Sequence, residues 1–397
     1  MTEAVLEREE ASTKVDDQII CKICGGKTHS IKHHLEREHP GVTIESYQMT
    51  YPNAELLSPT ALRTLQAAQK NSAANKVAAA SSNAAVIGGF VQKPMHELFG
   101  LGSDPQAKTP KGAPIPIKVL NPGDFQDMVP ERDNDYVIHV DNLKNALIAM
   151  EFNYPLYIWG HAGTGKTTMV ELICNATNRP LIRVQHTIGT EEADVVGQWV
   201  VRNGETVFEL GALPLAMKYG WTYLADEYDF GLPPILAIYQ SVLEGKPLVI
   251  KNADAANRVI KPHPNFRFVA TGNTNGSGDE SGLYQGTQIQ NAANYDRFNV
   301  VIKTEYLPAK MEQKILVNKT GMMPKDAEKF TKLAESIRND FDDNKISLPI
   351  SPRTLLRAGS LGLIRGDFKQ GLSLAFTNKL SPADKAVVDG YAQRIFG

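Results

Sequence analysis

Gly160-His161-Ala162-Gly163-Thr164-Gly165-Lys166-Thr167 is the stretch that decides the fold. It fits G-x-x-x-x-G-K-[ST], and it lies where that pattern has mechanical meaning: after the apolar run Pro155 to Trp159, read as a strand, and before a helix expected to begin near Lys166. The glycines let the backbone curl until its N–H groups face phosphate oxygens, and the positive end of the helix dipole points at the same place. The expected ATP-binding set is therefore Gly160, His161, Ala162, Gly163, Thr164, Gly165, Lys166, Thr167 and Thr168. Lys166 should contact the β- and γ-phosphates and act in catalysis, while Thr167 should ligate Mg2+.

A magnesium-bound triphosphate needs a second carboxylate site. Trp221 to Ala225 reads as a buried strand that ends in Asp226-Glu227, about sixty residues after the phosphate loop. Asp226 would hold Mg2+ through water, and Glu227 would orient and polarise the attacking water. An acidic pair at a strand end is common by chance, so its weight here comes from its distance to the loop.

Working outward, Leu181 to Val184, Phe266 to Thr271 and Val300 to Lys303 complete a set of short strand candidates alternating with helical patterns. Such alternation implies a parallel sheet with helices on both faces. After about 305 the strands stop, and Pro308 to Thr320, Lys325 to Phe341, Pro352 to Arg365 and Pro382 to Ile395 read as helices. The expected fold is α/β: an AAA+ core over 131–305 and a C-terminal helical lid over 306–397. Upstream lie an acidic tail over 1–19 expected to be disordered, a small zinc finger over 20–60, and a linker over 61–130. That linker starts as an Ala/Ser/Asn/Gln-rich tether over 61–85. Between 100 and 130 the density of Pro and Gly is read as preventing regular structure.

Composition narrows the partners. With 42% apolar and 22% charged residues the chain is of ordinary globular character, and a net charge of −2 argues against coating nucleic acid by charge alone. The first twenty residues carry Glu3, Glu7, Glu9 and Glu10 without an apolar run, so they fit no secretory or transit signal. No apolar stretch is long enough to span a membrane, and a cytoplasmic location with no membrane contact is expected. Three cysteines are too few for a disulfide framework, and Cys174 falls on what reads as the inner face of a helix.

The chain resembles the MoxR branch of AAA+ ATPases, and within it the small ATPase subunit of aerobic cobaltochelatase, the CobS type. The residues that carry the resemblance are Asp226-Glu227-Tyr228-Asp229, Val242-Leu243-Glu244, Ala270 to Thr274, Gly282 to Gln288, Asp296-Arg297-Phe298, Ser351 to Thr354 and Gln393 to Gly397. It implies that Asn273 is the sensor 1 residue that meets the attacking water or γ-phosphate, that Arg297 is an arginine finger reaching a neighbouring subunit's ATP, and that Arg353 is sensor 2. A finger acting in trans requires a ring of identical chains, expected to be a hexamer. The resemblance also implies two inserted hairpins. One runs through Gln198 to Val201, turns at Asn203-Gly204 in a type I′ turn and returns through Thr206 to Phe208. The other runs from Leu248 to Ile250 and back through Arg258 to Ile260, and Trp199 is either a client contact or packing for its own hairpin. The implied activity is remodelling of a protein client, one with a von Willebrand A-type domain, with metal chelation as one output.

Cys21-x-x-Cys24 followed by His34 and His39 makes a two-cysteine, two-histidine zinc set, with His29 and His33 as competing ligands. Choosing His34 leaves Ile31 and Leu35 for a small core, and Leu35 to Tyr47 resembles the finger of MucR/Ros-type bacterial regulators. Fingers of that kind bind DNA, yet Glu36, Glu38 and Glu45 here offset Lys32 and Arg37, so protein docking is an equal expectation. The alternative function is accordingly a DNA-associated ATPase of a phage or mobile element, targeted to nucleic acid by its finger.

Overall fold

Leu156 and Ile158 pack into one hydrophobic core, and Tyr157 between them packs into another. The same alternation separates Leu224 from Tyr223 and Ala225, and Val269 from Phe268 and Ala270. Strands that are apolar on both faces need cover on both faces, which is the condition of a parallel sheet within an α/β fold. The computed structural model, which describes residues 17–59, 61, 89–280 and 282–397, places these residues in five parallel strands. They are β1 (Leu156–Gly160), β2 (Leu181–Gln185), β3 (Thr222–Asp226), β4 (Arg267–Gly272) and β5 (Val300–Thr304), in the spatial order β5-β1-β4-β3-β2. With β4 hydrogen-bonded between β1 and β3, the chain segments leaving all three strands emerge side by side at the carboxyl edge, where ligands bind in open α/β sheets.

The described residues form two compact units, one within 17–61 and one from 89 to 397. Most of the acidic tail and nearly all of the Ala-rich tether lie outside the described residues. The expectation of irregular structure over 100–130 is corrected. Pro116–Leu120 pairs antiparallel with Phe90–Pro94, and the two prolines face each other at one end of the ladder, where their missing N–H groups cost least. Ile117 joins Met95, Phe99 and Ala107 in the core beneath the helix Val140–Glu151. Leu120 N–H donates to Thr177 O at 3.0 Å, and Asn178 Nδ2 donates to Leu120 O at 3.0 Å. The sheet-bearing unit thus begins near 89 rather than 131. Proline density signalled turns, while the apolar residues at 117, 119 and 120 had a core to enter.

Both hairpins are present. Gly197–Arg202 pairs with Glu205–Leu210, and Asn203 (φ 52°) and Gly204 (φ 85°) are both left-handed, as a type I′ turn requires. Leu248–Val249 pairs with Val259–Ile260. Trp199 stands edge-on to Phe208 of its own hairpin and donates through Nε1 to Asn252 O of the other at 2.8 Å, yet remains 47% exposed.

The lid consists of the helices Ala309–Thr320, Pro324–Asp342, Pro352–Arg365, Phe368–Ala375 and Pro382–Phe396. The fourth was not anticipated; its apolar residues do fall on one face, but eight residues, with Gly371 among them, make only about two turns. That glycine has a packing reason. A Cβ there would lie 2.3 Å from Gly362 N and 2.4 Å from Ala358 O, so the third and fourth helices approach backbone to backbone. Gly371→Ala is expected to destabilise the chain by ~1–3 kcal/mol through overpacking. Gly390→Ala, on the last helix with nothing within 4 Å of the added methyl, should stabilise by ~0.5–1 kcal/mol. Denaturant titration of the two variants checks both signs.

Candidate functional site

β1 ends at Gly160, whose φ of 147° and position against β5 exclude any side chain: a Cβ would sit 2.1 Å from Thr304 O. The loop closes at Gly165 (φ 83°), the N-cap of the helix Lys166–Ala176. Within this curl Lys166 Nζ donates to Gly160 O at 2.6 Å, to His161 O at 3.1 Å and to Asn273 Oδ1 at 3.1 Å. Burial pushes its pKa down to about 8, against the opposing pull of Asp229, Asp226 and Glu227. Thr164 turns its hydroxyl back onto His161 O at 2.8 Å, and Thr168 lies in the first turn of the helix.

Asp226, buried at the end of β3, meets Thr167 from the phosphate-loop helix: Thr167 Oγ1 donates to Asp226 Oδ1 at 3.0 Å. Thr271 of β4 donates to the same oxygen, and Arg183 of β2 pairs with the other. A threonine hydroxyl and a carboxylate side by side are hard oxygen donors of the kind Mg2+ takes, usually keeping several waters of its own. Glu227 is left-handed at φ 52°, an unusual conformation for a residue with a side chain. Its N–H donates to Thr271 Oγ1 at 3.3 Å, and its carboxylate accepts from Gln185 Nε2 at 2.8 Å.

Several contributors were not singled out from sequence. Tyr284 places its hydroxyl 3.0 Å from His161 Nδ1 and accepts from Ala162 N–H at 3.1 Å, so it occupies one phosphate-loop donor. His161 also stacks on Tyr306 at 5.6 Å, and burial lowers its pKa. Arg183, Gln185 and Thr271 complete the surroundings of Asp226 and Glu227, and Asp229 holds the Asn273-Thr274 turn next to them at the sheet's carboxyl edge. Thr271, Asp229 and Tyr284 stand inside runs already notable for their resemblance, and that was the available signal; Arg183 and Gln185 had none.

The two arginines differ in placement. Arg353 is exposed in the first turn of Pro352–Arg365, and Ser351, the N-cap, accepts from Thr354 N–H at 3.2 Å. The loop and this cap are in close contact, since a Cβ on Gly163 would lie 3.2 Å from Ser351 Cβ. Arg297 instead pairs through Nε with Glu244 at 2.7 Å and donates to Ala293 O.

In the N-terminal unit, the ligand atoms of Cys21, Cys24, His34 and His39 all lie within 4.8 Å of one another. Cys24 Sγ is 3.1 Å from His34 Nε2 and Cys21 Sγ is 3.9 Å from His39 Nε2. A tetrahedral zinc with two sulfur and two nitrogen ligands implies separations of roughly 3.4–3.8 Å; the two distances bracket that range, and two thiols with two imidazoles are donor types that suit the metal. Of the competing histidines, His33 is exposed and His29 Nδ1 lies 2.8 Å from Ser58 Oγ. The apolar support is Ile19, Ile31, Leu35 and Tyr47, packed with Cys21, too little to fold by burial alone.

Sheet order, phosphate loop, paired acids and helical lid define an AAA ATPase. Residues 155–298 match the AAA domain (dynein-related subfamily), and residues 312–394 match the CbbQ/NirQ/NorQ C-terminal family. The aerobic cobaltochelatase subunit CobS of Sinorhizobium sp. is 32% identical over 314 residues, which cover 76% of this chain and 90% of that protein. The chain belongs to the MoxR-type AAA ATPases related to CobS, and such a domain hydrolyses ATP. The gas vesicle ATPase GvpN of Ancylobacter aquaticus is 27% identical over 222 residues (51% of this chain, 59% of that one), and midasin of Dictyostelium discoideum is 26% identical over 200 (50% and 3%). Among solved structures, the RuvB Holliday junction branch migration motor of Thermotoga maritima aligns with a TM-score of 0.38 at 13% identity, over 67% of this chain and 72% of that one. No helix of the described residues is long and apolar enough to cross a membrane.

Two expectations follow from this geometry. Because the free site holds Lys166 near a pKa of about 8, nucleotide affinity should fall as pH rises through that value, by up to about tenfold per unit, as the ammonium that meets the phosphates loses its proton. Titration with a fluorescent ATP analogue from pH 7 to 9 reads this, and a flat affinity would show that Lys166 stays charged. Removal of zinc, by a chelator that leaves Mg2+ free or by Cys24→Ser, should unfold residues 17–59 and leave ATP turnover unchanged, as limited proteolysis and a phosphate-release assay would report.

Proposed function

We propose that this chain is a ring-forming, Mg-ATP-driven motor that remodels a protein partner. The observation that carries the reading is a division of labour among the polar residues. Lys166, Thr167, Asp226 and Asn273 converge within one chain, whereas Arg297 is held on a separate turn against Glu244. In this reading Thr167 and Asp226 hold Mg2+, Glu227 activates the water, Asn273 meets the water or γ-phosphate, and Arg353 follows the lid. Arg297 acts on the ATP of a neighbouring subunit in a hexamer, and an arginine finger typically contributes ~10³–10⁵ in rate. The two hairpins, joined by the Trp199–Asn252 hydrogen bond, transmit lid motion to the client. Kinship with a cobaltochelatase subunit favours a client with a von Willebrand A-type domain and metal insertion as an output. Zinc organises the N-terminal finger, whose charges are nearly balanced, as a protein-docking module.

Glu227→Gln tests the mechanism. The variant should bind Mg-ATP and lose on the order of 10²–10⁴-fold in turnover, the usual contribution of a positioned general base. Used as bait with and without ATP, it should retain a protein bearing a metal-ion adhesion domain only when nucleotide is present. Full turnover would overturn the role of Glu227, and recovery of nucleic acid dependent on Cys21 would favour a DNA-directed motor.

A further inference from the structure

Asp229 is fully buried, three residues beyond the magnesium carboxylate, on the tight turn Tyr228–Phe230 that follows Glu227. One oxygen, Oδ2, accepts three hydrogen bonds: from Asn273 N–H at 2.8 Å, from Thr274 N–H at 2.9 Å and from Thr274 Oγ1 at 3.0 Å. The opposite polarity of the same turn is held by Tyr157 of β1, whose hydroxyl donates to Thr274 O at 2.9 Å. Gly272 completes the fit, since a Cβ there would lie 2.0 Å from the Tyr157 hydroxyl and 3.1 Å from Asp229 Cγ. Donors and acceptor of the turn are thus fixed from two sides, and what it presents to the phosphate loop is the Asn273 side chain, whose Oδ1 accepts from Lys166 Nζ at 3.1 Å. That contact leaves the Nδ2 donor of Asn273 for a phosphate oxygen or a water.

We infer that Asp229 is a positioning residue for hydrolysis: its carboxylate clamps the backbone of the Asn273 turn so that the Asn273 amide stays aimed at Lys166 and the γ-phosphate. The inference rests on the assignment of Asn273 as the residue that contacts γ-phosphate or attacking water. An ordinary turn does not need a buried carboxylate. Asp229 also leaves Oδ1 without a partner among the described residues, which is costly unless the charge has a use. It exerts the strongest of the three carboxylate pulls that favour the Lys166 ammonium, while burial raises its own pKa. The geometry of the Asn273 turn, held through three hydrogen bonds, is therefore its principal part.

The experiment separates these parts with full-length variants, reading kcat for ATP and the dissociation constant of an ATP analogue side by side. Asp229→Ala removes clamp and charge; a misplaced catalytic group costs on the order of 10²-fold in kcat, with nucleotide affinity changing far less. Asp229→Asn keeps an acceptor for the two backbone N–H groups and should recover most of that kcat. In an Asn273→Ala background, Asp229→Ala should add little further loss, because it acts through a side chain already gone. Tyr157→Phe, which keeps the ring and removes only the donor to Thr274 O, supplies a milder version should Asp229→Ala fold poorly; it should lower kcat with affinity unchanged. An Asp229→Asn variant as impaired as Asp229→Ala, or a full extra loss in the Asn273→Ala background, would overturn the positioning role. If Asn273→Ala alone left kcat intact, the assignment of Asn273 would fall instead, a result distinguishable from either.

Discussion

A lysine that is to meet phosphates in a closed site has first to exist there as a cation without them. Lys166 does so by giving its ammonium three oxygens, two from the curled loop and one from Asn273, with three carboxylates further out. Burying a charge without partners costs more than a domain can spare, and here the loop supplies two of the oxygens while the third comes from the end of β4. The arrangement requires the ends of β1, β3 and β4 to lie together, and the spatial order β5-β1-β4-β3-β2 meets that demand. The glycines follow from the same demand, because the loop can turn its carbonyls inward to the lysine only if Gly160 and Gly165 take positive φ.

The lid is tied to this centre by polar contacts as well as by packing. Arg338 forms a two-pronged ion pair with Glu312, at 2.9 and 2.7 Å, and its guanidinium lies 4.0 Å from the centre of the Tyr306 ring. Tyr306 in turn stacks on His161 of the phosphate loop, and His161 meets Tyr284. A buried ion pair of this kind is poor evidence for added stability, but loss of one partner would strand a charge, so the pair fixes which lid arrangement is tolerated. Between the lid and β5 a cavity of about 500 Å³ opens onto Gly160, His161 and Asn273, lined on its other side by lid residues that include Glu312 and Arg338.

What the sequence made legible follows the reach of its signals. The strands were readable because each is a short apolar run with a turn signal after it, and the phosphate loop because three glycines, a lysine and a threonine at fixed spacing have few other uses. The Cys21, Cys24, His34 and His39 cluster was readable from spacing, and the structure gathers His34 rather than His29, which Ser58 engages, with the two cysteines. The segment from 89 to 130 was misread because prolines mark both loops and strand ends, and only the partner strand at Phe90–Pro94 decides between them. Arg183 and Gln185 were invisible for a different reason. Their roles depend on a neighbour 43 or 42 positions away, and no local pattern encodes such pairings.

The same distinction bears on Arg297. Its turn is anchored to the catalytic strand, for Asn294 Nδ2 donates to the hydroxyl of Tyr228, the residue after Glu227, at 2.8 Å, and Phe298 packs edge-on against the Tyr228 ring. The guanidinium itself is held more loosely. Its partner Glu244 also pairs with Lys246, and the side chains of Arg297 and Glu244 are 27% and 32% exposed. An ion pair so open to water holds an arginine weakly, and a triphosphate carried by a neighbour would compete for it with more charge and better geometry. An anchored turn carrying a cation held by one carboxylate and one carbonyl suits the proposed arginine finger: the position is fixed from β3, and the two contacts would have to be exchanged for a neighbour's phosphates. In the proposed ring, the anchor at Tyr228 would link β3 of one subunit to its neighbour's nucleotide.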